Sequence, residues 1–266
     1  MSATLSTEFT YVYGPVKSWR YGRSLGIDPI GAVSTCSFNC VYCQLGEIEQ
    51  ITRDRALFVP TEEIIQELQE FAPWDVDVIT LSGSGEPTLA SNLGEIITSI
   101  AQLTSRPTLV LTNATLLKDK TVRQELAIAD KVSVKIDAVS PRRWQGVDRP
   151  ATGVNFADVW EGISEFRAEY SGELGIQTMM LSNWDAEDIA EYIRRVRAIG
   201  PTEIQLNSPT RPKPLKRQLD GRGNHSSTEE RPYPVQQLKC VSADILQKFA
   251  SEIQNATGIP VRFPPQ

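Results

Sequence analysis

Short apolar runs rich in β-branched residues alternate with longer segments of helical periodicity through the middle of the chain. Each run has the length of a buried strand, and the segments between them repeat their apolar positions every three or four residues. The predicted strands are 26–33, 76–81, 108–111, 131–136, 175–180 and 203–206. The predicted helices are 61–68, 92–103, 116–129, 155–170 and 185–199.

Two of these elements have distinctive ends. The first strand is the least regular because it contains Pro29, which removes a hydrogen-bond donor from the ladder. The first helix opens on Thr61 as its predicted N-cap. Glu62 and Glu63 follow at the end of the helix dipole that favours negative charge.

The order of the elements predicts the fold class. Six strands, each followed by a helix, favour parallel pairing with right-handed crossovers. We therefore predict an α/β fold built as a partial (βα)6 TIM-like barrel that is open on one side. A doubly wound parallel sheet would show the same periodicity. In a parallel barrel, functional residues gather at the C-terminal ends of the strands.

Residues 210–235 differ from the rest of the chain because proline, glycine and charged residues dominate them, with almost no apolar periodicity. This composition predicts a long loop, lid or linker. A helix over 243–255 follows and ends toward Gly258 and Pro260. We therefore predict a barrel with an N-terminal extension over residues 1–209, and a loop and C-terminal helix packing on it over residues 210–266.

The composition narrows the class of protein. Of 266 residues, 40% are hydrophobic and 23% are charged, as in a globular enzyme. The net charge of −6 gives no general attraction to nucleic acid, although a local basic patch is compatible with it. There is no N-terminal apolar signal and no apolar run of membrane-spanning length, so we expect a cytoplasmic protein without a membrane partner.

Three of the four cysteines, Cys36, Cys40 and Cys43, lie within eight residues. Thiolates at these spacings can converge on one iron–sulfur cluster and leave one iron open. Zinc is the alternative, but a structural zinc site takes four ligands. The residues that could supply the fourth zinc ligand, Cys240 and His225, are distant in sequence from these three cysteines. We therefore predict that the three neighbouring cysteines bind an iron–sulfur cluster.

The spacing of these cysteines, with the aromatic Tyr42 directly before the last one, resembles the signature of the radical S-adenosylmethionine (radical SAM) superfamily. The resemblance implies a [4Fe–4S] cluster whose open iron binds the amino and carboxylate groups of SAM. One electron then cleaves SAM reductively to a 5′-deoxyadenosyl radical, which abstracts hydrogen from a substrate. The resemblance therefore implies an enzyme, with Tyr42 beside its cofactors and flavodoxin or ferredoxin as an electron donor.

A second motif follows the strand 76–81. Its sequence, Ser-Gly-Ser-Gly-Glu-Pro over residues 82–87, resembles the Gly-Gly-Glu motif of the superfamily, with Ser84 in place of the first glycine. Glycine lets the backbone approach a ligand, and a carboxylate accepts hydrogen bonds from an ammonium group. The resemblance makes Ser84, Gly85 and Glu86 candidates for binding SAM. The same residues also fit a simple turn.

Further polar residues stand at the ends of later strands. By analogy with the superfamily, they are placed to reach the ribose or carboxylate of SAM. Asn113 and Asp137 fit helix caps equally well, and polar residues within apolar strands also serve to satisfy backbone groups. The candidates are Thr112, Asn113, Lys135, Asp137, Gln177 and Asn207.

The resemblance narrows to small bacterial radical SAM proteins similar to the enzymes that build the wyosine base of tRNA. The residues that carry it are Tyr13–Val16, Arg20–Asp28, Cys40–Gly46 and Gln205–Pro212. The wyosine enzymes hold a second cluster with its own cysteines, whereas here Cys240 is the one cysteine left. The tRNA-modifying activity therefore does not transfer, and Cys240 is interpreted as a packed apolar residue or, alternatively, a catalytic thiol.

Three functions remain open on the sequence. The first is a radical SAM enzyme acting on a small molecule of unresolved identity. The second is a radical SAM enzyme that modifies tRNA. It would need a basic surface, for which the candidates are Lys213, Lys216, Arg217 and Arg222. The third is a non-enzymatic metal-binding protein in which the cysteines only hold the fold together.

Two arginines near the N-terminus are also candidates for ligand binding. Arg20 and Arg23 have the planar guanidinium group that recognises carboxylate and phosphate, although surface salt bridges are the default interpretation. The stretches 142–144 and 148–150 follow the fourth predicted strand on the active face; they are interpreted as a solvated loop, with binding of an anionic or nucleotide-like substrate as the alternative.

Overall fold

A computed structural model describes residues 10–218, 221–222 and 231–264 of the chain. Within these ranges the strands are β1 (Val12–Ser18), β2 (Gly22–Ile27), β3 (Thr35–Cys36), β4 (Gln50–Ile51), β5 (Val78–Leu81), β6 (Thr108–Thr112), β7 (Lys131–Lys135), β8 (Glu173–Met179), β9 (Glu203–Asn207), β10 (Lys213–Pro214), β11 (Val235–Gln236) and β12 (Val261–Arg262). The helices are α1 (Thr61–Gln69), α2 (Leu93–Thr104), α3 (Lys120–Leu126), α4 (Pro141–Val147), α5 (Phe156–Glu169), α6 (Ala186–Ile199) and α7 (Ala243–Thr257).

Eight of the strands form the main sheet, in the order β1-β2-β5-β6-β7-β8-β9-β12. β1 pairs antiparallel with β2, and every other neighbouring pair in this sheet is parallel. The six central strands, from β2 to β9, are the six predicted from the sequence. The predicted α/β architecture is therefore confirmed.

The sheet curls into a partial barrel. Tyr21, in the turn between β1 and β2, donates a hydrogen bond from its hydroxyl to Gln205 Oε1 in β9 over 3.2 Å. Five strand-to-strand steps separate β2 from β9, which would be roughly 24 Å in a flat sheet. One tyrosine side chain spans this separation because the two ends of the sheet come together. This contact excludes the doubly wound alternative.

The two faces of the barrel wall differ in polarity. Ile176 and Thr178 of β8 face the outer helices, where Thr178 Oγ1 lies 2.8 Å from Tyr192 Oη of α6. Because side chains alternate along a strand, Gln177 points to the barrel interior. It lies in register with Lys135 of β7 and Gln205 of β9. The apolar core therefore lies between sheet and helices, and the interior is polar.

Some predicted boundaries were wrong. The first barrel strand is Gly22–Ile27 instead of 26–33, because Asp28 turns the chain by accepting hydrogen bonds from the amides of residues 30 and 31. The third helix is Lys120–Leu126 instead of 116–129, because Asp119 caps it at Thr121 N over 2.8 Å. The N-cap of α1 is Pro60, so Thr61 is the first helical residue.

Several elements were not predicted: the two-residue strands β3, β4, β10 and β11, and also β1, α4 and β12. β1 contains Gly14 and Pro15, where its register with β2 shifts and the alternation of the strand is lost. α4 has only seven residues and replaces the loop predicted at 142–144, and its Trp144 is buried. β12 contributes two residues to the edge of the sheet beside β9.

The predicted C-terminal helix is present as α7, and Gly258 ends it in the left-handed conformation at φ 73°. No helix in the described ranges combines the length and apolarity that crossing a bilayer requires. The division at residue 209 stays a prediction, and His225 lies outside the described residues.

Candidate active site

The three neighbouring cysteines lie on the cluster loop, defined here as residues 36–46. This loop leaves β3 and is held against helix α4. Phe38 packs edge-to-face on Trp144 with ring centroids 5.7 Å apart, and Val41 N donates to the carbonyl of Val147 over 2.9 Å. Two successive turns, closed by the amides of Cys43 and Gly46, bring the later part of the loop back on itself.

The three thiols face one partly buried region. Burial is the main cause that raises the pKa of Cys36, Cys40 and Cys43 above the ordinary thiol value. The charge of Cys43 also raises the pKa of both Cys36 and Cys40, which requires the thiols to lie close to one another. A site that disfavours bare thiolates in this way is suited to a cationic metal centre that stabilises them.

The donor set fits a cluster with one incomplete corner. Cys240 is exposed, and its thiol contacts the carbonyl of Pro209 over 3.1 Å, so it is not the packed residue expected from the sequence. In the part of the chain that the structure describes, no three His, Cys, Asp or Glu side chains gather closely enough to hold a metal ion. A cubane places each thiolate on a different iron, so its ligands need not meet at one point.

The predicted SAM motif lies directly beside the cluster loop. This motif loop, residues 82–87, follows β5 and pairs with Thr35, the residue before the first cysteine. Thr35 N donates to the carbonyl of Ser84 over 3.0 Å, and Glu86 N donates to the carbonyl of Thr35 over 3.1 Å. A Cβ atom on Gly85 would overlap the Thr35 carbonyl oxygen. Glycine is therefore required for the two loops to pair.

Glu86 joins the motif loop to the end of the next strand. Its buried carboxylate accepts hydrogen bonds from Thr112 Oγ1 over 2.6 Å and from Asn113 N over 2.7 Å. Thr88 donates to the same carboxylate through both its amide and its hydroxyl. Burial raises the pKa of Glu86, and these hydrogen bonds oppose that rise. The carboxylate is thus engaged by the protein itself, which is the contact pattern of a positioning residue.

Asn113 connects this group to the cluster cysteines. Its Nδ2 atom lies 3.6 Å from Cys36 Sγ and donates to Ser37 Oγ over 2.8 Å. Its Oδ1 accepts from the amide and hydroxyl of Thr115, which caps the turn after β6. Asn113 is therefore not the helix cap considered from the sequence, since the N-cap of α3 is Asp119; its side chain closes a turn and contacts the cluster loop.

Tyr42, Lys135 and Asp137 form a second group, next to Cys40. Lys135 Nζ lies 4.0 Å from the Tyr42 ring centroid and 3.1 Å from Asp137 Oδ2. The Tyr42 hydroxyl donates to the same carboxylate, whose other oxygen accepts from the amide of Met179 over 2.7 Å. The structure thus brings three predicted residues from two loops together.

Gln177 and Asn207 lie on strands next to the second group but have other hydrogen-bond partners. Gln177 is in register with Lys135, and its side chain accepts a hydrogen bond from Arg20 over 3.0 Å. Asn207 accepts a hydrogen bond from the amide of Ser208 over 2.9 Å, and its carbonyl accepts one from Met180 N over 2.8 Å. These contacts of Asn207 are to the strand ends around it.

Two buried carboxylates at the site were missed by the sequence analysis. Asp28, at the end of β2, accepts from Ser84 N over 2.9 Å and forms a buried ion pair with Arg222 at 2.8 Å. Asp148, at the end of α4, accepts from the Cys40 thiol over 3.6 Å, and burial raises its pKa well above the usual value. Asp28 lay inside the predicted strand 26–33, so its place at the end of a strand was visible only in the structure.

Segment 210–218 covers the cluster loop. Gln218 N donates to the carbonyl of Leu45 over 2.9 Å, and Arg217 reaches both Ser84 Oγ, at 3.1 Å, and Glu49, at 3.3 Å. Lys213 is buried. Of the four basic residues considered for a nucleic-acid surface, Lys213, Arg217 and Arg222 therefore lie inside or make contacts within the protein.

Comparison with known proteins agrees with this geometry. The sequence profile of the Radical SAM superfamily matches residues 32–196, which include the cluster loop and the motif loop. The chain belongs to the radical SAM superfamily. As a radical SAM protein it is an enzyme, and its cofactors are a [4Fe–4S] cluster and SAM, as the cysteine motif predicted.

Several relatives of this radical SAM protein are similar over most of its length. A UPF0026 protein of Synechocystis sp. is 59% identical over 261 residues, which is 98% of each chain. A probable GTP 3′,8-cyclase of Saccharolobus islandicus is 29% identical over 70% of this chain and 58% of its own.

Solved structures share the fold. Streptococcus suis SuiB bound to SAM has a TM-score of 0.60 and 14% identity over 88% of this chain. The chain spans about half the length of SuiB, covering 49% of it. This likeness confirms the predicted partial barrel and carries no information on the substrate.

Proposed function

We propose that the protein cleaves SAM reductively and uses the product to abstract hydrogen from a small polar substrate in the barrel interior. The observation that carries this proposal is the pairing of Thr35 with Ser84 and Glu86. This pairing places the cluster loop and the motif loop side by side, and SAM must contact both to bind the open iron of the cluster. When bound, the cluster supplies one electron to SAM, which yields a 5′-deoxyadenosyl radical.

Cys36, Cys40 and Cys43 would hold three irons of the cluster, leaving the fourth for SAM. Their loop is fixed by Phe38 against Trp144. The thiols are thereby presented by backbone held on three sides, by α4, by the motif loop and by segment 210–218. Such support limits the movement of the ligands when the charge of the cluster changes.

SAM would lie between the two polar groups that flank the cysteines. We assign to it the motif loop with Thr112 and Asn113 on one side, and Tyr42, Lys135 and Asp137 on the other. Within the first group, Glu86 orients Thr112 and the backbone of Asn113 through its hydrogen bonds. Within the second, Asp137 fixes the ammonium of Lys135 above the Tyr42 ring. Gln177 and Asn207, the other members of the predicted set, lie on the strands beside the second group.

The protein's further task is to keep water from a reactive intermediate. Segment 210–218 is placed for this, since Arg217 ties it to Ser84 and Gln218 ties it to Leu45. The same contacts favour a small substrate over tRNA, because they occupy basic residues that an RNA-binding surface would need. An electron donor, for which flavodoxin or ferredoxin is the candidate class, would have to reach the cluster from outside.

Anaerobic reconstitution with iron and sulfide tests the proposal. The electron paramagnetic resonance spectrum of the dithionite-reduced protein is recorded with and without SAM, and 5′-deoxyadenosine is measured by chromatography. We expect the signal to change on adding SAM and 5′-deoxyadenosine to accumulate. A reduced cluster whose spectrum is indifferent to SAM, with no nucleoside product, would overturn the proposal.

A further inference from the structure

Arg20 extends from the turn between β1 and β2 into the polar interior of the barrel. Its Nη1 atom donates to Gln177 Oε1 over 3.0 Å, and its guanidinium carbon lies 5.8 Å from the Trp19 ring centroid. The Nε atom is buried and has no hydrogen-bond partner. Arg20 as a whole is half-buried, but a buried donor such as its Nε is costly unless something pairs with it.

None of the ion pairs found in residues 10–218, 221–222 and 231–264 supplies Arg20 with a carboxylate. The acidic residue nearest along the polar network is Glu203 of β9, and it is paired with Arg262 at 2.8 Å. Arg23, three residues along the chain from Arg20, has its own partner in Asp75. Arg20 is therefore a positive charge without a negative counterpart.

The space around Arg20 is lined by groups able to bind a polar molecule. Ser133 Oγ, on β7, is also buried without a partner. On the neighbouring strand, Gly175 lies close to this hydroxyl: a Cβ there would be only 3.3 Å from Ser133 Oγ and 3.8 Å from the Tyr21 hydroxyl, so any side chain at residue 175 would crowd Ser133. The hydroxyl of Tyr21 and the amide of Gln177 complete a set of donors and acceptors that face the interior.

Other cations reinforce the preference for an anion. Burial lowers the pKa of Arg20, and the nearby positive charge of Arg211 lowers it further. Arg211 donates to Gln44 Oε1 over 2.8 Å, next to the last cysteine of the cluster loop. Two guanidinium groups, those of Arg20 and Arg211, therefore lie close enough to influence each other, although the net charge of the chain is negative.

We infer that Arg20 binds an anionic group, carboxylate or phosphate, of the substrate, and that the rest of the substrate lies along Gln177, Ser133 and Gly175. Guanidinium suits both anions because its parallel N–H donors match their oxygen pairs. The inference rests on the proposed function, since it places the substrate in the barrel below SAM. It makes the substrate a small, polar, negatively charged molecule.

Anion titration of the reconstituted full chain, with SAM present and reductant absent, tests this inference. Sodium phosphate and sodium malonate are titrated separately by calorimetry at low ionic strength. We expect the wild-type protein to bind at least one of them. Binding of phosphate alone would indicate a phosphorylated substrate, and binding of malonate alone a carboxylic acid. Binding of neither would overturn the inference.

Variants locate the bound anion. Arg20→Gln should weaken binding about 10-fold or more, and Arg20→Lys by a smaller factor, because a charge-assisted bidentate contact is lost or reduced. Arg23→Gln is the matched control and should bind as the wild type does. If Arg20→Gln also binds as the wild type does, the inference is wrong.

Gly175→Val supplies a test that keeps Arg20 in place. The added side chain would occupy the space beside Ser133 Oγ, so anion binding should weaken although the guanidinium remains. Unchanged affinity in this variant would also contradict the inference. Because the titrations contain no reductant, SAM is not cleaved in them. Reductive cleavage by the wild-type protein separately decides the proposed function.

Discussion

Gly85 packs directly against the backbone of Thr35, so the motif loop and the cluster loop are joined at this point. The pair forms a parallel β-bridge outside the main strands. Its hydrogen bonds run from Thr35 N to Ser84 and from Glu86 N to Thr35. No side chain other than hydrogen fits at residue 85 without moving backbone.

Gly85→Ala should therefore disrupt both loops. The added methyl group meets a backbone carbonyl, which cannot rotate away as a side chain can, so we expect a loss of about 3 kcal/mol in the free energy of unfolding. Gly146→Ala is the control, because a Cβ there meets nothing within 4 Å and lies in helix α4. Urea unfolding of both variants measures the difference. Equal stability would show that the loops separate easily.

The cysteines differ in their expected contributions to the cluster. Cys36→Ala, Cys40→Ala and Cys43→Ala should each lower the iron content after reconstitution and abolish SAM cleavage, because one thiolate ligand is lost. Cys240→Ala is the matched control, since that thiol is exposed and contacts Pro209. Iron analysis and the 5′-deoxyadenosine assay measure the effect. Turnover that survives any of the first three substitutions would refute the assigned ligand set.

Glu86→Gln should destabilise the end of β6. The NH2 group of the new side chain would face a hydrogen-bond donor, either Asn113 N or the donors of Thr112 and Thr88. We therefore expect the free energy of unfolding to fall by about 2 kcal/mol. SAM affinity should fall while iron content stays near the wild-type level, because no cluster ligand changes. Equilibrium dialysis with SAM and iron analysis separate the two effects. Loss of iron instead would make Glu86 a support of the cluster loop.

Lys135 and Lys131 allow a comparison of a buried and an exposed ion pair on the same strand. Burial alone would lower the pKa of Lys135, but the charges of Asp137 and its neighbours raise it. Lys135→Met leaves the fully buried Asp137 without its cation, so we expect the free energy of unfolding to fall by about 3 kcal/mol. Lys131→Met breaks a more exposed pair with Glu173 and should cost less than about 1 kcal/mol. Urea unfolding would show similar losses if the pair at Lys135 were solvated.

Because of Tyr13, we expect the stability of the protein to fall at alkaline pH. Burial raises its pKa to about 12 from 10.0, and its hydroxyl lies 2.7 Å from Ser82 Oγ of the motif loop. Because the folded-state pKa is the higher one, the contribution of Tyr13 is complete below the unfolded-state pKa and is lost as pH rises from 10 to 12. Tyr13→Phe should therefore lose less stability than the wild type over that interval. Urea unfolding at several pH values checks this, and parallel curves would contradict it.

The sequence was most informative where the signal is local. Cys36, Cys40 and Cys43 lie within one loop, and the central strands are continuous apolar runs, so spacing and periodicity sufficed to predict an iron–sulfur cluster and a parallel α/β sheet. Periodicity did not by itself distinguish a barrel from a doubly wound sheet. Contacts between distant segments left no such signal. Asp148 contacts Cys40 across 108 residues, and Arg20 contacts Gln177 across 157. Their roles follow from the curl of the sheet, which single-sequence periodicity does not encode.

Short or interrupted elements were missed for a different reason. α4 is two turns long, too short to establish a helical period, and yet its end supplies Asp148 and the surface on which Phe38 packs. β1 is interrupted at Gly14 and Pro15, which hides its alternation. Both elements are stabilised by tertiary packing more than by their own propensity.

Asn113 contacts residues of both proposed cofactor sites. One amide side chain touches the sulfur of Cys36, while the backbone of the same residue is gripped by Glu86. In the proposed site, a displacement that SAM imposes on the end of β6 would therefore reach the thiol of Cys36 through one residue.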